Sequence, residues 1–201
     1  LAKDKKLAVA IIKGNGTLVS DAVFISENPT THSNPTIVFN SVRRQYLITW
    51  NDSRNGNADI FGIIVDEAGE IIKETFEISN EKGEQINPFS CYNPTDDTYL
   101  VNWEDFRHVS TWTENSNIYG SLLHGDGTIK TDDIPMCEDF GMEDEGDQRH
   151  NNIAYNADRN EFLVSWTDMR PSLNNVGIVG RVINSDGTLG EKELILADSP
   201  E

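Results

Sequence analysis

Long apolar runs are missing from this chain. No stretch approaches the ~18 residues a membrane-crossing helix needs, so the sequence offers no helical span. A 3.6-residue periodicity long enough to predict a helix is missing too. Cysteine is scarce. Cys91 and Cys137 cannot define a disulfide framework, and neither sits in a CxxC or Cys/His spacing that would suggest zinc. They read as two small buried or half-buried thiols, with a single disulfide as the alternative, so cysteine leaves the redox compartment open. Basic residues are few: 16 Lys and Arg stand against 34 Asp and Glu, for a formal charge of −18. The field of such a molecule repels phosphate, which excludes nucleic acid and anionic membrane surfaces as partners. Nucleophile elbow, phosphate-binding glycine loop and Ser-His-Asp order are all lacking. His32, His108, His124 and His150 show no metal-ligand spacing.

What is present is a repeat, the feature to seek first in any chain. Tyr46–Arg54 reads "YLITWNDSR", Tyr99–Arg107 reads "YLVNWEDFR" and Phe162–Arg170 reads "FLVSWTDMR". The similarity extends over units beginning at Asn34, Asn87 and Asn151, with blade limits predicted at 34–80, 87–139 and 151–198. Each unit opens with a short apolar run (Ile37–Asn40, Phe89–Asn93, Ile153–Asn156). A turn follows ("SVRRQ", "PTDD" or "ADRN"), then the Trp-bearing strand, a polar loop and a third strand containing Gly62, Gly120 or Gly180. A Gly-containing hairpin signal ("DEAGE", "HGDGT", "NSDGT") leads to a fourth strand. Enrichment in β-branched and aromatic residues over runs of about five favours strands throughout.

Four antiparallel strands in about 50 residues, repeated in tandem, predict an all-β fold, a β-propeller. A single four-stranded sheet has two faces to bury, and neighbouring blades cover them. Residues 7–28 align with the third and fourth strands of the later units and predict an N-terminal half-blade. This segment reads as strand and not as a signal peptide, because no small-residue cleavage site follows its apolar run. The whole chain is thus one domain: a half-blade and three full blades, either part of a larger propeller, a small four-bladed ring, or a partner to a chain that supplies the missing strands. Open edges would invite association with other copies.

The Tyr-Leu-Val-x-Trp-x-Asp-x-Arg pattern, followed by Ile-Tyr/Phe-Gly and an Asp-Gly turn, resembles β-propeller repeats of bacterial and archaeal extracellular or surface-associated proteins. It lacks the paired signatures of WD40 and kelch repeats and the Asp box of sialidases. The resemblance implies a propeller fold and an extracellular or cell-surface location. It does not imply one activity, because propellers host unrelated functions.

The repeated residues Trp50, Asp52, Arg54, Trp103, Asp105, Arg107, Trp166, Asp168 and Arg170 read as structural parts. Catalysis needs one asymmetric constellation and not three copies. At i, i+2 and i+4 on a strand they share a face, which predicts Trp packing between blades and a carboxylate–guanidinium pair within the blade or with the next one, the triplet serving as an inter-blade fastening. Gly62, Gly120 and Gly180 are expected to admit the neighbouring Trp closely. Candidate ligand-binding residues are the aromatics Phe106, Trp112 and Tyr119, placed near one rim where they could stack on sugar rings. Calcium is the one cofactor to consider, since hard cations take oxygen ligands. Asp52 and Asp59 in "DSRNGNAD", and Asp139, Glu143, Asp144 and Asp147 in "CEDFGMEDEGD", are the candidate ligands, each stretch reading first as a solvated loop. The reading these features favour is a non-catalytic binding or scaffold module that presents a propeller rim to a protein or glycan, leaning against an enzyme. The alternatives are a polysaccharide-active domain (glycoside hydrolase or lyase) with carboxylates at the channel mouth, and a structural segment of a surface layer or filament. Non-repeated Asp, Glu or His converging at one mouth, with a perturbed carboxylate pair, would mark the enzyme.

Overall fold

The structure is a computed structural model that describes residues 7–19, 22–26, 32–108, 116–137, 146–170 and 176–197. Fourteen strands and no helix are found among them. Strands β1 (Leu7–Val9) and β2 (Val23–Ser26) form a two-stranded antiparallel sheet, the expected half-blade. Three four-stranded antiparallel sheets follow. The first blade holds β3 (His32–Asn40), β4 (Gln45–Asp52), β5 (Asp59–Asp66) and β6 (Ile71–Ser79). The second holds β7 (Gln85–Asn93), β8 (Thr98–Asp105), β9 (Asn117–His124) and β10 (Ile129–Pro135). The third holds β11 (Gln148–Asn156), β12 (Glu161–Asp168), β13 (Gly177–Asn184) and β14 (Leu194–Ala197). Contact between sheets runs largely through the first strands β3, β7 and β11, which places them nearest the axis. The fold is a β-propeller.

The core is divided by the gaps between blades: the first two four-stranded sheets bury both faces, and the third buries one. Leu7, Val9, Val23 and Ile25 of the half-blade pack on Ile48, Trp50 and Phe61. Leu47, Ile60, Ile64 and Ile78 pack on Tyr99, Val101, Trp103 and Tyr119. Leu100, Ile118, Leu122 and Ile134 pack on Phe162, Val164 and Trp166. Every repeated Trp therefore lies in the gap between its own blade and the preceding one, as its alternation with inward residues predicts. Cys91 is half-buried, Cys137 is buried, and neither is in a disulfide.

The first strands differ from prediction. The sequence starts them at the apolar runs; the structure starts them earlier, at His32, Gln85 and Gln148. A bulge explains the concealment. Register shifts between Ser33 and Thr36, Ile86 and Phe89, and Arg149 and Asn152. The first bulged residue has positive φ in all three: Asn34 (55°), Asn87 (54°) and His150 (57°). Asn and His enter this region more readily than most residues. The next residue is Pro35, Pro88 or Asn151; Pro is tolerated at a bulge because no ladder bond is asked of its nitrogen. The third unit is thus in phase from His150, one residue before the Asn151 that sequence similarity selects.

The glycines of the third strands also have a different neighbour from the one predicted. A Cβ at Gly62 would meet Phe76 at 3.0 Å and Ile78 at 3.1 Å, and one at Gly180 would meet Leu196 at 3.0 Å. The close approach is to the fourth strand of the same blade and not to a Trp of the next.

Candidate active site at the propeller axis

The repeated triplet forms a fastening within each blade. Trp103 Nε1 donates to Asp105 Oδ2 at 2.9 Å, and Arg107 N and Nε each donate to Asp105 Oδ1 at 2.9 Å. Trp166, Asp168 and Arg170 repeat the pattern, as do Trp50, Asp52 and Arg54 with a longer Trp bond of 3.3 Å. The strand ends at the Asp, and the chain turns so that the carboxylate captures the backbone N–H two residues on. The Arg is therefore beyond the strand and not on its face. Its guanidinium reaches Asp133 from Arg107, at 2.6 Å, and Glu193 from Arg170, at 2.6 Å. Both partners belong to the same blade, so of the two pairings open from the sequence the one within the blade forms, and the ion pair is not the fastening between blades. Arg54 and Arg107 stack over Phe61 (4.2 Å) and Tyr119 (3.9 Å).

Polar links between blades lie elsewhere. At the far end of the first strands, Asn40 Nδ2 donates to Asp97 Oδ1 and Asn93 Nδ2 to Asn160 Oδ1, both at 2.8 Å. At the near end, Gln85 N donates to Ala58 O (2.6 Å) and Gln148 N to Ser116 O (3.0 Å).

The candidate ligand residues disperse. Tyr119 is buried, not exposed, and its hydroxyl meets His108 Nε2 at 3.1 Å. Burial pushes its pKa up to about 12, the nearby Arg107 opposing. Phe106 is half-buried beneath the Arg149 guanidinium, 6.0 Å from the ring centroid. Trp112 lies outside the described residues, as do Asp139, Glu143 and Asp144. Of the remaining candidate calcium ligands, Asp52 is taken by Trp50, Arg54 and His32 Nδ1 (2.9 Å). Asp59 accepts from Asn55 and Asn57 at 2.8 and 2.9 Å. Burial raises its pKa above the ordinary carboxylate value, and these two amides oppose the rise. Asp147 accepts from Ser116 and pairs with Arg149. No group of three or more His, Cys, Asp and Glu gathers in a metal-binding array among the described residues.

The site that does form lies at the axis, on the strand ends from which the triplets project. A cavity of about 470 Å³ opens between the three bulges, within the ~300–1,000 Å³ range of small-ligand sites. The bulges contribute Asn34, Pro35 and Thr36 from β3, Asn87, Pro88 and Phe89 from β7, and His150, Asn151 and Asn152 from β11; Glu104 enters from β8. Glu104 is 2% exposed, and its Oε1 accepts the backbone N–H of His150 at 2.8 Å. It occupies the position between Trp and Asp of the triplet, where the sister blades carry Asn51 and Thr167. A buried carboxylate, anchored by one backbone bond and facing a cavity, is chemically equipped to exchange a proton with a bound ligand. Sequence reading passed over Glu104, although its departure from the repeat was visible. Phe89 was read only as strand, and the value of His150 was hidden by the one-residue offset.

No protein-family model and no curated protein matches the chain. Solved structures do share its fold. A thermostable family-43 glycoside hydrolase aligns with a TM-score of 0.56 at 12% identity, over 84% of this chain and 55% of that one. An N-acetylgalactosamine deacetylase from F. plautii, solved with blood group B trisaccharide, gives 0.55 at 11% identity, over 88% and 56%. An endo-1,4-beta-xylanase from Bacteroides thetaiotaomicron gives 0.52 at 11% identity, over 88% and 57%. The chain spans little more than half the length of these structures. At such identities the likeness is one of fold. It nevertheless overturns the preference for a non-catalytic module, and with it the leaning against an enzyme. That preference rested on the repeat, the acidic surface and the absence of a catalytic motif, whereas the structures similar to it are enzymes; of the marks expected of an enzyme, the axis carries a non-repeated Glu and His, while no second carboxylate lines the cavity among the described residues.

Proposed function

We propose that the chain is the axial part of a polysaccharide-active enzyme, a glycoside hydrolase or lyase, with the cavity between the first strands as its active site. The observation that carries this reading is Glu104: a buried, non-repeated carboxylate at the axial cavity, held by His150 N–H. The enzymes that share the fold are named for reactions on carbohydrates, which supports the substrate class. Cleaving a glycosidic bond requires a group that gives a proton to the leaving oxygen or takes one from the attacking group or from the sugar ring. Glu104 is the one carboxylate among the described residues lining the cavity, so it is assigned that role. The extracellular or cell-surface setting implied by the repeats belongs to the same reading, because polymeric glycans are met outside the cell.

The test is turnover on a panel of neutral and acidic polysaccharides, following both new reducing ends and ultraviolet-absorbing unsaturated products. Glu104→Gln keeps the shape and removes the titrating group. It should lower kcat by about 10²–10⁴-fold, the usual worth of general acid–base catalysis. Product formation that survives in Glu104→Gln, or no product from any polysaccharide, overturns the proposal.

A further inference from the structure

We infer that the axial cavity receives an uncharged sugar residue, with Asn151 reading its hydroxyls and Phe89 forming the platform beneath its ring. The inference rests on reading the cavity as a glycan site and narrows that reading to a substrate class. Its starting point is an amide without partners. Asn151 is 1% exposed and lines the cavity, yet neither its Nδ2 nor its Oδ1 has a hydrogen-bond partner. Buried polar side chains are overwhelmingly paired, and leaving one unpaired costs about 1–3 kcal/mol per group. The buried amides of Asn102 and Gln148 are also without partners but do not line the cavity; Asn151 differs in its place in the lining, where a ligand that both donates and accepts would satisfy it. A hydroxyl does both. A carboxylate would engage only the Nδ2 donors and would be repelled by Glu104.

The rest of the lining points the same way. Pro35, Pro88 and Phe89 give the cavity apolar walls, and neither Lys nor Arg lines it. In a chain of net charge −18, an acidic sugar would meet no permanent counter-charge, the one basic side chain in the lining among the described residues being the His150 imidazole. A bare cation would find Glu104 and the Asn151 oxygen, but nothing in the apolar walls would serve it. A sugar ring uses every part: its C–H face lies on the Phe and Pro surfaces and its hydroxyls reach the amide and the carboxylate.

Departures from the repeat fall on these same positions. Where the third blade has Asn151, its sisters have Pro35 and Pro88; where the second has Phe89, the others have Thr36 and Asn152. Three near-equivalent bulges are thereby turned into one asymmetric site. An uncharged sugar has no carboxylate to acidify a ring C–H, so β-elimination is closed to it and hydrolysis remains. The glycosidic C–O bond breaks, water supplies the hydroxyl to the anomeric carbon, and the proton ends on the leaving oxygen.

The experiment is calorimetric titration of the protein with neutral pentose and hexose disaccharides, with galacturonate disaccharide, and with calcium chloride alone. At least one neutral disaccharide should bind, and galacturonate should bind at least 10-fold more weakly. Asn151→Ala and Phe89→Ala should each weaken the neutral sugar by 10-fold or more. Phe89 is surface-accessible, so its variant reports on binding even if Asn151→Ala folds poorly. Equal or tighter binding of galacturonate overturns the inference, as does calcium binding that Asn151→Ala abolishes, or unchanged affinity in Phe89→Ala. If Glu104-dependent cleavage proceeds with a wild-type KM in both variants, this inference falls and the proposed enzyme stands. If no polysaccharide is cut while neutral sugars bind as described, the enzyme falls and the sugar site stands.

Discussion

Asp97 and Asn160 occupy the same place in successive turns, and both have positive φ (51° and 53°). Each receives the side-chain amide of an Asn from the preceding blade, but only Asp97 carries charge. Its carboxylate also accepts Arg43 Nε at 2.6 Å and the Tyr92 hydroxyl at 3.0 Å. Burial pushes its pKa up, but the bonds from Arg43, Asn40 and Tyr92 outweigh that and hold it below the ordinary 3.8. A depressed carboxylate pKa stabilises the fold above the unfolded-state value and loses that contribution as pH falls through the folded-state value. The link between the first and second blades should therefore weaken below about pH 4, near the ordinary aspartate pKa; the link between the second and third titrates there too, because Asp96 Oδ2 accepts Asn160 Nδ2 at 3.0 Å and that bond lowers the Asp96 pKa. Thermal unfolding followed from pH 7 to pH 2 checks this. Asp97→Asn should be less stable than the parent at pH 7, and the gap should close as pH falls below 4. A gap of constant size across that range would show that Asp97 acts through shape alone. The residue scale is also where sequence reading was most uneven. The Trp-Asp-Arg recurrence was legible at once, because strict spacing survives in one dimension. The partners of Asp and Arg were not, because the chain turns at the Asp and takes the Arg off the strand.

Elements were legible wherever alternation or a Gly-containing hairpin marked them. The second and third strands and the hairpins with Gly69, Gly127 and Gly187, all at positive φ, are where the pattern puts them. The N-terminal halves of the first strands were not legible. Asn34-Pro35 and Asn87-Pro88 look like turns, and only the fold shows that they are bulges inside a strand. The glycines of the third strands carry the element-scale prediction. A Cβ at Gly120 would come within 2.7 Å of the Val101 carbonyl oxygen and would also strike Met136 Cε, whereas at Gly180 the nearest atoms are Leu196 Cδ1 at 3.0 Å and Val164 O at 3.1 Å. Met136 is fully buried and Leu196 is exposed, so only the second can give way. Gly120→Ala should cost about 1–3 kcal/mol, as overpacking a core does. Gly180→Ala should cost less than half of that. Urea midpoints of the two variants decide it, and equal losses would mean that contact with the fourth strand is not what selects glycine.

At the scale of the whole molecule, the blades are alike in sequence but not in what covers them. Leu47 and Leu100 are fully buried, as are Ile60 and Ile118, because a Tyr-x-Val/Ile-x-Trp or Phe-x-Val-x-Trp strand of the next blade packs on them. Their equivalents on the third blade, Leu163 and Ile178, are 37% and 39% exposed, and Leu196 beside them is 48% exposed. By their place in the repeat these residues match the covered ones of the other two blades; only the fold shows that nothing among the described residues covers them. A contiguous apolar face of this kind is an association surface. The 201-residue chain should therefore self-associate with rising concentration and bind a fluorescent apolar dye. Leu163→Lys combined with Ile178→Lys should suppress both while leaving the melting temperature within a few degrees, because the lysines reach water. Leu100→Lys, the same change at the covered equivalent, should instead unfold the protein, since a charge cannot remain in that gap unpaired. Sedimentation velocity across a hundredfold concentration range checks the first half and thermal melts the second. A chain that stays monomeric throughout, with no dye binding, would mean that the open face is satisfied by its own polypeptide.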